Sequence, residues 1–300
     1  MQKSYLNVIN IETGEVKLLH IYYRIIEAPN WNHKDNCLYY NSEGHIYRYN
    51  PITDQDTLID TGACDACNND HVISPDCTHI AVSNNTNNDW LQCQIYVCPI
   101  EGGEPVLVTP SKPSFLHGWS AVTNELCYCA FRTVDGKEHV DVYKTLAPNT
   151  DDITAQSPHN TKENLFLEER LTSEGFNDGP EFSPDGKHIW YNSTVSGLMQ
   201  IWRMNADGTC KTQMTDDDNN NWFAHVSPDG QKVVYLAFNK EDLEIEQHLP
   251  NLHVQLRIMN YDGTNNRKLV SLFGGQGTIN VNSWSKDSKR LAFVSYDEIN

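Results

Sequence analysis

The stretch Glu181–Thr215, EFSPDGKHIWYNSTVSGLMQIWRMNADGTCKTQMT, has the pattern of four short β-strands joined by tight turns. Ser-Pro-Asp-Gly at 183–186 separates the first two strands, and Asp207-Gly208 separates the last two. Asp-Gly between alternating apolar segments is a strong hairpin signal, because glycine adopts the positive φ that primed turns require. A single four-stranded unit cannot bury both of its apolar faces, so the pattern predicts a fold built from several copies.

Copies of this unit occur along the whole chain, and one of them is divided between the two ends. Ser4–Asn10 and Glu15–His20 match the third and fourth strands of the unit, whereas Asn282–Ser285 and Arg290–Tyr296 match the first and second. We therefore predict an all-β fold, a six-bladed β-propeller of four-stranded antiparallel blades closed by N-terminal strands that complete the C-terminal blade. The predicted blades are 21–62, 63–110, 111–172, 173–215, 216–271, and 272–300 with 1–20, all within a single domain, 1–300.

Two insertions interrupt the repeats. Asn239–Val254 lies between a second and a third strand, so it is predicted on the face where the blades are connected. It is interpreted either as a lid over the channel mouth that carries His248 and His253, or as a solvated loop. Ala147–Asn164 lies between a third and a fourth strand and is predicted on the opposite face.

Composition limits the partners and the compartment. The net charge is −18 and the pI is about 4.9, which argues against nucleic acid and anionic membranes as partners. No apolar run reaches the roughly 18–20 residues of a membrane span, and the N-terminus does not resemble a signal peptide, so a cytoplasmic protein is expected. The nine cysteines favour a reducing compartment with cysteine as a small apolar residue. A structural or redox role for the pair Cys64-x-x-Cys67 is the alternative.

The repeats resemble the WD-like repeats of TolB-type β-propellers, which carry an apolar or aromatic residue before Ser-Pro-Asp-Gly. The motif is found at Ile73–Asp76, Phe182–Gly186 and Val226–Gly230 and, in degraded form, at Trp284–Asp287. The whole pattern is similar to that of uncharacterised bacterial TolB-like proteins made of a lone propeller. That similarity is carried by Asn68–His71, His117–Ser120, Asn177–Pro180 and Leu272–Gly277.

Candidate site residues emerge when the repeats are aligned on the serine of the Ser-Pro-Asp turn. His71, His117 and Asn282 precede that serine by three residues, and His225 precedes it by two. Inner strands of a propeller surround its channel, so these side chains are predicted at the channel mouth. The predicted ligand-binding residues are Asn69, Asp70, His71, His117, Trp119, Asn177, Asp178, His225, Asn280 and Asn282.

Three of these residues are candidate ligands of a metal ion. His71, His117 and His225 could bind a divalent ion such as Zn²⁺, Mn²⁺ or Fe²⁺. The alternative is that polar residues line the channel with their hydrogen bonds satisfied by water and backbone. Trp31, Trp119, Trp222 and Trp284 are interpreted as blade packing, or alternatively as a platform on which a sugar stacks.

Two functional hypotheses follow. The first is a binding module whose channel mouth takes a small or oligomeric ligand, a carbohydrate for example, or a protein partner, with no nucleic acid and no membrane. The second is a metal-dependent carbohydrate-active enzyme. It rests on resemblance to oligogalacturonate lyases, whose related propeller carries a histidine-bound metal and performs β-elimination. In that case His71, His117 and His225 would be ligands, with Asp70 or Asp178 as orienter or base.

Overall fold

Six antiparallel sheets form a ring in the computed structural model, which describes residues 2–148 and 167–298. Blade 1 consists of β3 Glu27–Trp31, β4 Leu38–Ser42, β5 His45–Asn50 and β6 Gln55–Ile59, and blade 2 of β7 Cys67–Ile73, β8 His79–Asn85, β9 Cys93–Pro99 and β10 Val106–Leu107. Blade 3 consists of β11 Ser114–Trp119, β12 Glu125–Val134, β13 Lys137–Leu146 and β14 Glu169–Arg170, and blade 4 of β15 Asn177–Phe182, β16 His188–Ser193, β17 Gln200–Asn205 and β18 Thr212–Gln213. Blade 5 consists of β19 Asn219–Val226, β20 Lys232–Asn239, β21 Pro250–Asn260 and β22 Arg267–Gly275, and blade 6 of β1 Ser4–Asn10, β2 Val16–Tyr22 and β23 Arg290–Tyr296. The six-bladed all-β prediction is confirmed.

Blade 6 is assembled from both ends of the chain, as predicted. β1 pairs with β23, where Ser4 faces Tyr296, and also with β2. The predicted innermost strand, Asn282–Ser285, is reduced to a single bridge between Trp284 and Leu291. At this strand the Ser283 hydroxyl donates to the Ala292 carbonyl oxygen (2.6 Å), which a backbone amide would occupy in a regular ladder.

The Ser-x-Asp motif recurs because its serine and aspartate form a hydrogen-bonded turn between the first and second strands of a blade. Ser183 Oγ donates to Asp185 Oδ1 (2.7 Å) and accepts from the His188 amide (3.0 Å). Ser285 and Asp287 make the same bond although proline and glycine are missing there. The serine and the aspartate therefore define the turn.

The outer strands of three blades are shorter than the sequence suggested. β10, β14 and β18 have two residues each, because the threonine that ends each repeat bonds through its side chain. Thr109, Thr172 and Thr215 each accept an amide of the third strand at 2.9 Å. This hydroxyl replaces a backbone pair and ends the ladder.

The predicted lid and one predicted blade boundary need correction. Pro250–Val254 is not loop, because these residues belong to β21, which pairs with the end of β22. The connection between β20 and β21 is therefore 240–249. β22 also extends past the predicted boundary at 271 to Gly275. The predicted insertion Ala147–Asn164 lies outside the described residues from position 149 onwards.

The apolar cores lie between neighbouring blades. Trp222 and Trp284 are completely buried, which agrees with their interpretation as packing residues. Trp31 and Trp119 are also buried, and both contribute to the lining of a pocket at one end of the channel. Within the described ranges, no helix has the length and apolar character needed to cross a membrane.

Each of the five inner strands contains a β-bulge. The register shifts lie between Glu27 and Asn30, Cys67 and His71, Leu116 and Gly118, Asp178 and Glu181, and Trp222 and His225. A bulge places an extra residue in one strand and redirects the neighbouring side chains. The bulges therefore decide which side chains reach each end of the channel.

Candidate functional site

A pocket opens at each end of the channel. The upper face is the one where the inner strands begin, and the lower face is the one that carries the Ser-x-Asp turns. The upper pocket has a volume of about 160 Å³ and the lower pocket about 270 Å³. His117 contributes to the lining of both pockets. The polar lining of the upper pocket consists of Asn68, Asp70, His117, Asp178, His248, Gln276 and Asn280.

Asp178 is the centre of the upper pocket's polar floor. Its Oδ1 lies 3.0 Å from His117 Nε2 and accepts from the Gly179 amide at 2.7 Å. Its Oδ2 lies 3.6 Å from Nε2 of His248. Gly179 is part of the β15 bulge and has a φ of +59°, and its missing Cβ leaves room for Asn192. The bulge therefore turns the carboxylate toward the two imidazoles.

Asp70 is a second buried carboxyl in the same pocket. Asn280 Nδ2 donates to its Oδ1, and Asn68 Nδ2 donates to its Oδ2 (2.7 Å). Burial raises the pKa of Asp70, and the nearby Asp178 raises it further, although His117 acts in the opposite sense. Burial likewise raises the pKa of Glu27, to about 7, with a smaller contribution from Asp70. Asp70 thus lies in the upper pocket with a raised pKa, and Glu27 is close enough to interact with it although it is not part of the pocket lining.

The two histidines of the upper pocket have opposite pKa shifts. Burial alone would lower the pKa of His117, but Asp70 and Asp178 outweigh it and the pKa is raised. Burial lowers the pKa of His248, against the attraction of Asp178. Burial would raise the pKa of Asp178, yet His117 and His248 hold it below the ordinary value. These directions favour the charged forms of His117 and Asp178, which face each other, and the neutral form of His248.

An aromatic wall stands above this floor. Trp90, which belongs to the β8–β9 connection and is 51% exposed, has its ring centroid 5.6 Å from that of Phe131. Phe131 in turn contacts Phe115 at 6.1 Å and Phe176 at 6.4 Å. All four rings line the upper pocket. Sequence analysis missed this wall, because its members are far apart in the chain and only the ring of blades brings them together.

Phe223 packs against the two histidines of the floor and has a strained backbone. It has a φ of +55°, which is rare for an aromatic residue, and it lies in the β19 bulge. Its amide donates to Asn192 Oδ1 (2.9 Å), and its ring lies 6.0 Å from His117 and 5.3 Å from His248. Strain of this kind is found where surrounding structure fixes a side chain in a required place. No feature of the sequence marks Phe223.

The connection between β20 and β21 reaches the site through one histidine. The ring of His248 packs 4.5 Å from Trp222, and its Nε2 faces Asp178. His253 lies in β21 instead, is 73% exposed at its side chain and lies 3.8 Å from Glu298. The lid hypothesis thus retains His248 and stays a prediction.

A second polar network lies below His117, around Glu181. Glu181 Oε1 accepts from the Val226 amide (2.9 Å) and from Asn282 Nδ2 (2.8 Å), and Oε2 lies 2.6 Å from His225 Nδ1. His225 Nε2 contacts the carbonyl oxygen of Ile279. Glu181 and Asn282 line the lower pocket. Sequence analysis missed Glu181, although it directly precedes the Phe-Ser-Pro-Asp motif.

The remaining predicted site residues take different places. Asn69 lies beside the upper pocket, where its carbonyl oxygen accepts from Asn280 (3.3 Å). Trp119 lines the lower pocket and donates to Asn124 (2.8 Å). His71 is fully buried, with Nε2 3.4 Å from the Tyr39 carbonyl oxygen. Asn177 is buried and donates to Asp141 (3.0 Å).

The three histidines suggested for a metal do not fit a common metal centre in this conformation. Both ring nitrogens of His225 already face protein oxygen atoms, Nδ1 facing Glu181 Oε2 and Nε2 facing the Ile279 carbonyl oxygen. His117 faces Asp178, and His71 faces Tyr39. Across 2–148 and 167–298, His, Cys, Asp and Glu side chains form no group of three that could hold an ion. Metal binding stays a prediction, and the proposals below do not depend on it.

Cys64 and Cys67 belong to the core of blade 2. Both are buried, and burial contributes to raising the pKa of each thiol. For Cys64 the larger cause is the neighbouring Cys98 thiol. All nine cysteines are free thiols, in accord with cysteine as a small apolar residue.

Comparison with known proteins identifies relatives that match along almost the whole chain. An uncharacterised protein of Agrobacterium fabrum is 38% identical over 296 residues, which cover 98% of this chain and 92% of the relative. A solved structure of a candidate TolB from Agrobacterium tumefaciens is 37% identical, with a TM-score of 0.87 and full coverage of both chains. No protein-family profile matches the sequence.

More distant structures share the fold alone. TolB from Acinetobacter baumannii is 18% identical with a TM-score of 0.66, covering 91% of this chain and 64% of that protein. Oligogalacturonate lyase from Vibrio parahaemolyticus is 12% identical with a TM-score of 0.54, covering 89% of this chain and 72% of that protein. At these identities the likeness shows the fold alone.

Proposed function

The chain belongs to the TolB-like six-bladed β-propellers, and from that premise we propose that it is a binding protein which holds a small ligand in its upper pocket. One observation carries the proposal: the buried His117–Asp178 pair and the aromatic wall face the same cavity at the channel mouth. A concave, largely aromatic pocket with a few convergent polar groups is the usual form of a small-molecule site.

The dimensions of the pocket limit the ligand. A volume of about 160 Å³ equals the space of roughly five water molecules in the liquid. The ligand is therefore a small organic molecule, or one end of a longer molecule that continues past Trp90 into solvent. Polar atoms of the ligand face Asp70, His117 and Asp178, and its apolar part lies against the aromatic wall.

A thermal-shift screen with a chemically diverse panel of small molecules tests the proposal. Compounds that bind should raise the melting temperature of the wild type, because a ligand that binds only the folded state stabilises it. The shift should be lost in His117→Gln and kept in the control His188→Gln, whose half-buried imidazole begins β16 and contacts Tyr261 of the neighbouring blade 5. If no compound binds, or if every shift survives His117→Gln, the binding function is wrong.

The opposite pKa shifts of His117 and His248 favour a second candidate function, acid–base catalysis in the same pocket. A neutral His248 beside an ionised Asp178 has the form of a general base. The metal-dependent lyase hypothesis is a special case of this candidate. An assay of β-elimination on galacturonate oligomers, with and without divalent metal, tests that case. Product formation that disappears in His248→Gln would replace the binding function with an enzymatic one.

A further inference from the structure

The charge of the upper pocket indicates the chemical class of its ligand. Asp70 and Asp178 are both buried in the floor, and Glu27 is close enough to Asp70 for the two to repel each other. Among the described residues that line the pocket, none is lysine or arginine. The positive charge of His117 is already engaged by Asp178 at 3.0 Å.

Asp70 is the carboxyl without a cationic partner in direct contact. The hydrogen bonds that its side chain receives come from Asn68 and Asn280, whose amides are neutral. A buried carboxylate is stabilised by a neighbouring cation far more than by neutral donors. The floor of the pocket thus lacks one positive charge beside Asp70.

Asn280 supplies an independent observation at the same point. It is 1% exposed, and its Nδ2 is committed to Asp70. Its carbonyl oxygen Oδ1 is buried and has no hydrogen-bond partner within the described structure. A buried acceptor without a donor costs free energy. A ligand that carries an N–H group at this position would remove that cost.

From these observations we propose, on the basis of the proposed function, that the ligand of the upper pocket is a primary or secondary alkylammonium ion. Its charged nitrogen lies between Asp70 and Asn280, donating one N–H to the carboxylate and another to the amide oxygen. Its carbon chain lies along Phe115, Phe131 and Trp90, whose ring faces attract a nearby positive charge and bury apolar surface.

The same arrangement disfavours acidic ligands. A uronate or another carboxylate in this pocket would face Asp70 and Asp178 without a lysine or arginine in the described lining to balance it. A quaternary ammonium would gain the attraction of the carboxylates and rings, but it has no N–H to offer Asn280. The expected order of affinity is therefore alkylammonium, quaternary ammonium, neutral isostere and carboxylate.

Isothermal titration calorimetry with four matched probes tests the proposal: n-butylammonium, n-butyltrimethylammonium, 1-butanol and butyrate. n-Butylammonium should bind best, and the other three probes should each bind at least about tenfold more weakly, as expected from lost charge-assisted hydrogen bonds. Asp70→Asn should weaken n-butylammonium by about tenfold or more, whereas Asp54→Asn, an exposed carboxyl on the outside of blade 1, should leave it unchanged.

A second variant separates the roles of charge and hydrogen bonding. Asn280→Ala should weaken n-butylammonium and leave n-butyltrimethylammonium within about twofold, because the quaternary ion has no N–H or O–H to donate to the amide oxygen. Circular dichroism of each variant shows whether the fold is intact. Equal or tighter binding of 1-butanol or butyrate, no effect of Asp70→Asn, or no binding of any probe overturns the alkylammonium assignment. If another compound of the thermal-shift panel still requires His117, the binding function survives that failure.

Discussion

Glu181 is the residue with the most direct structural role in the channel. One carboxylate accepts from His225, Asn282 and the Val226 amide, and so connects blade 4 to blades 5 and 6. We expect Glu181→Ala to lower the free energy of unfolding by about 3–5 kcal/mol, because two buried donors and the half-buried Asn282 amide lose their acceptor. Urea denaturation measures the change, with the exposed Glu138→Ala as control. A loss of under about 1 kcal/mol would contradict this role.

The buried His71 makes the stability of the fold depend on pH. Burial lowers its pKa from 6.5 to about 4 in the folded state. Between these values the unfolded chain binds more protons than the folded one, so stability falls as pH falls from 6.5 toward 4. The loss approaches about 3 kcal/mol. We expect His71→Asn to show a smaller loss than the wild type when urea unfolding is compared at about pH 7 and about pH 4.5. Equal losses would show that His71 is not responsible.

Only some of the residues that line the upper pocket could be predicted from the sequence. Counting back from the Ser-Pro-Asp serine selected Asp70, His117, Asp178 and Asn280, and the structure brings these four together. The same count selected His225, which the structure places in the Glu181 network instead. When an inner strand contains a bulge, a shift of one or two positions along the strand decides whether a side chain reaches the upper or the lower end of the channel. A single sequence does not show where a bulge lies.

At the scale of elements, the closing strand β1 is essential because it lies between β2 and β23. Its Leu6 is fully buried in the core that joins blades 6 and 1. We expect Leu6→Ala to cost about 2–5 kcal/mol of unfolding free energy. Leu18→Ala in the neighbouring β2, where the leucine is 45% exposed, should change it by no more than about 0.5 kcal/mol. Chemical denaturation of both variants is the measurement, and similar effects at the two positions would contradict the closure described here.

The strands themselves were predictable because their signals are local. Ser-x-Asp turns and alternating apolar residues are read within about ten residues, and they predicted the six-bladed ring correctly. The ends of β10, β14 and β18 were not predictable, because they depend on the hydroxyls of Thr109, Thr172 and Thr215. A threonine is compatible with both a strand and its termination, and only the partner amide distinguishes them.

For the whole molecule, the net charge of −18 should influence how a cationic ligand arrives. A negative field attracts a cation, and salt screens that field as the Debye length falls from about 30 Å at 0.01 M to about 8 Å at 0.15 M. We expect the association rate of n-butylammonium to fall at least roughly threefold over this range of salt, while that of an uncharged ligand stays constant. Stopped-flow tryptophan fluorescence can follow both, because Trp90 lies at the pocket rim. A rate independent of salt would exclude electrostatic steering.

The way the ring is closed has a consequence for a chain cut in two. A cut between β20 and β21, in residues 240–249, would leave one piece ending in β20 and a second starting with β21. The two pieces would still share two sheets, since blade 5 pairs β20 with β21 and blade 6 pairs β1 with β23. The two pieces, when made separately, should therefore recombine into a complete propeller. The upper pocket takes Asp178 from the longer piece and Asn280 from the shorter one, so it would form only when the pieces associate.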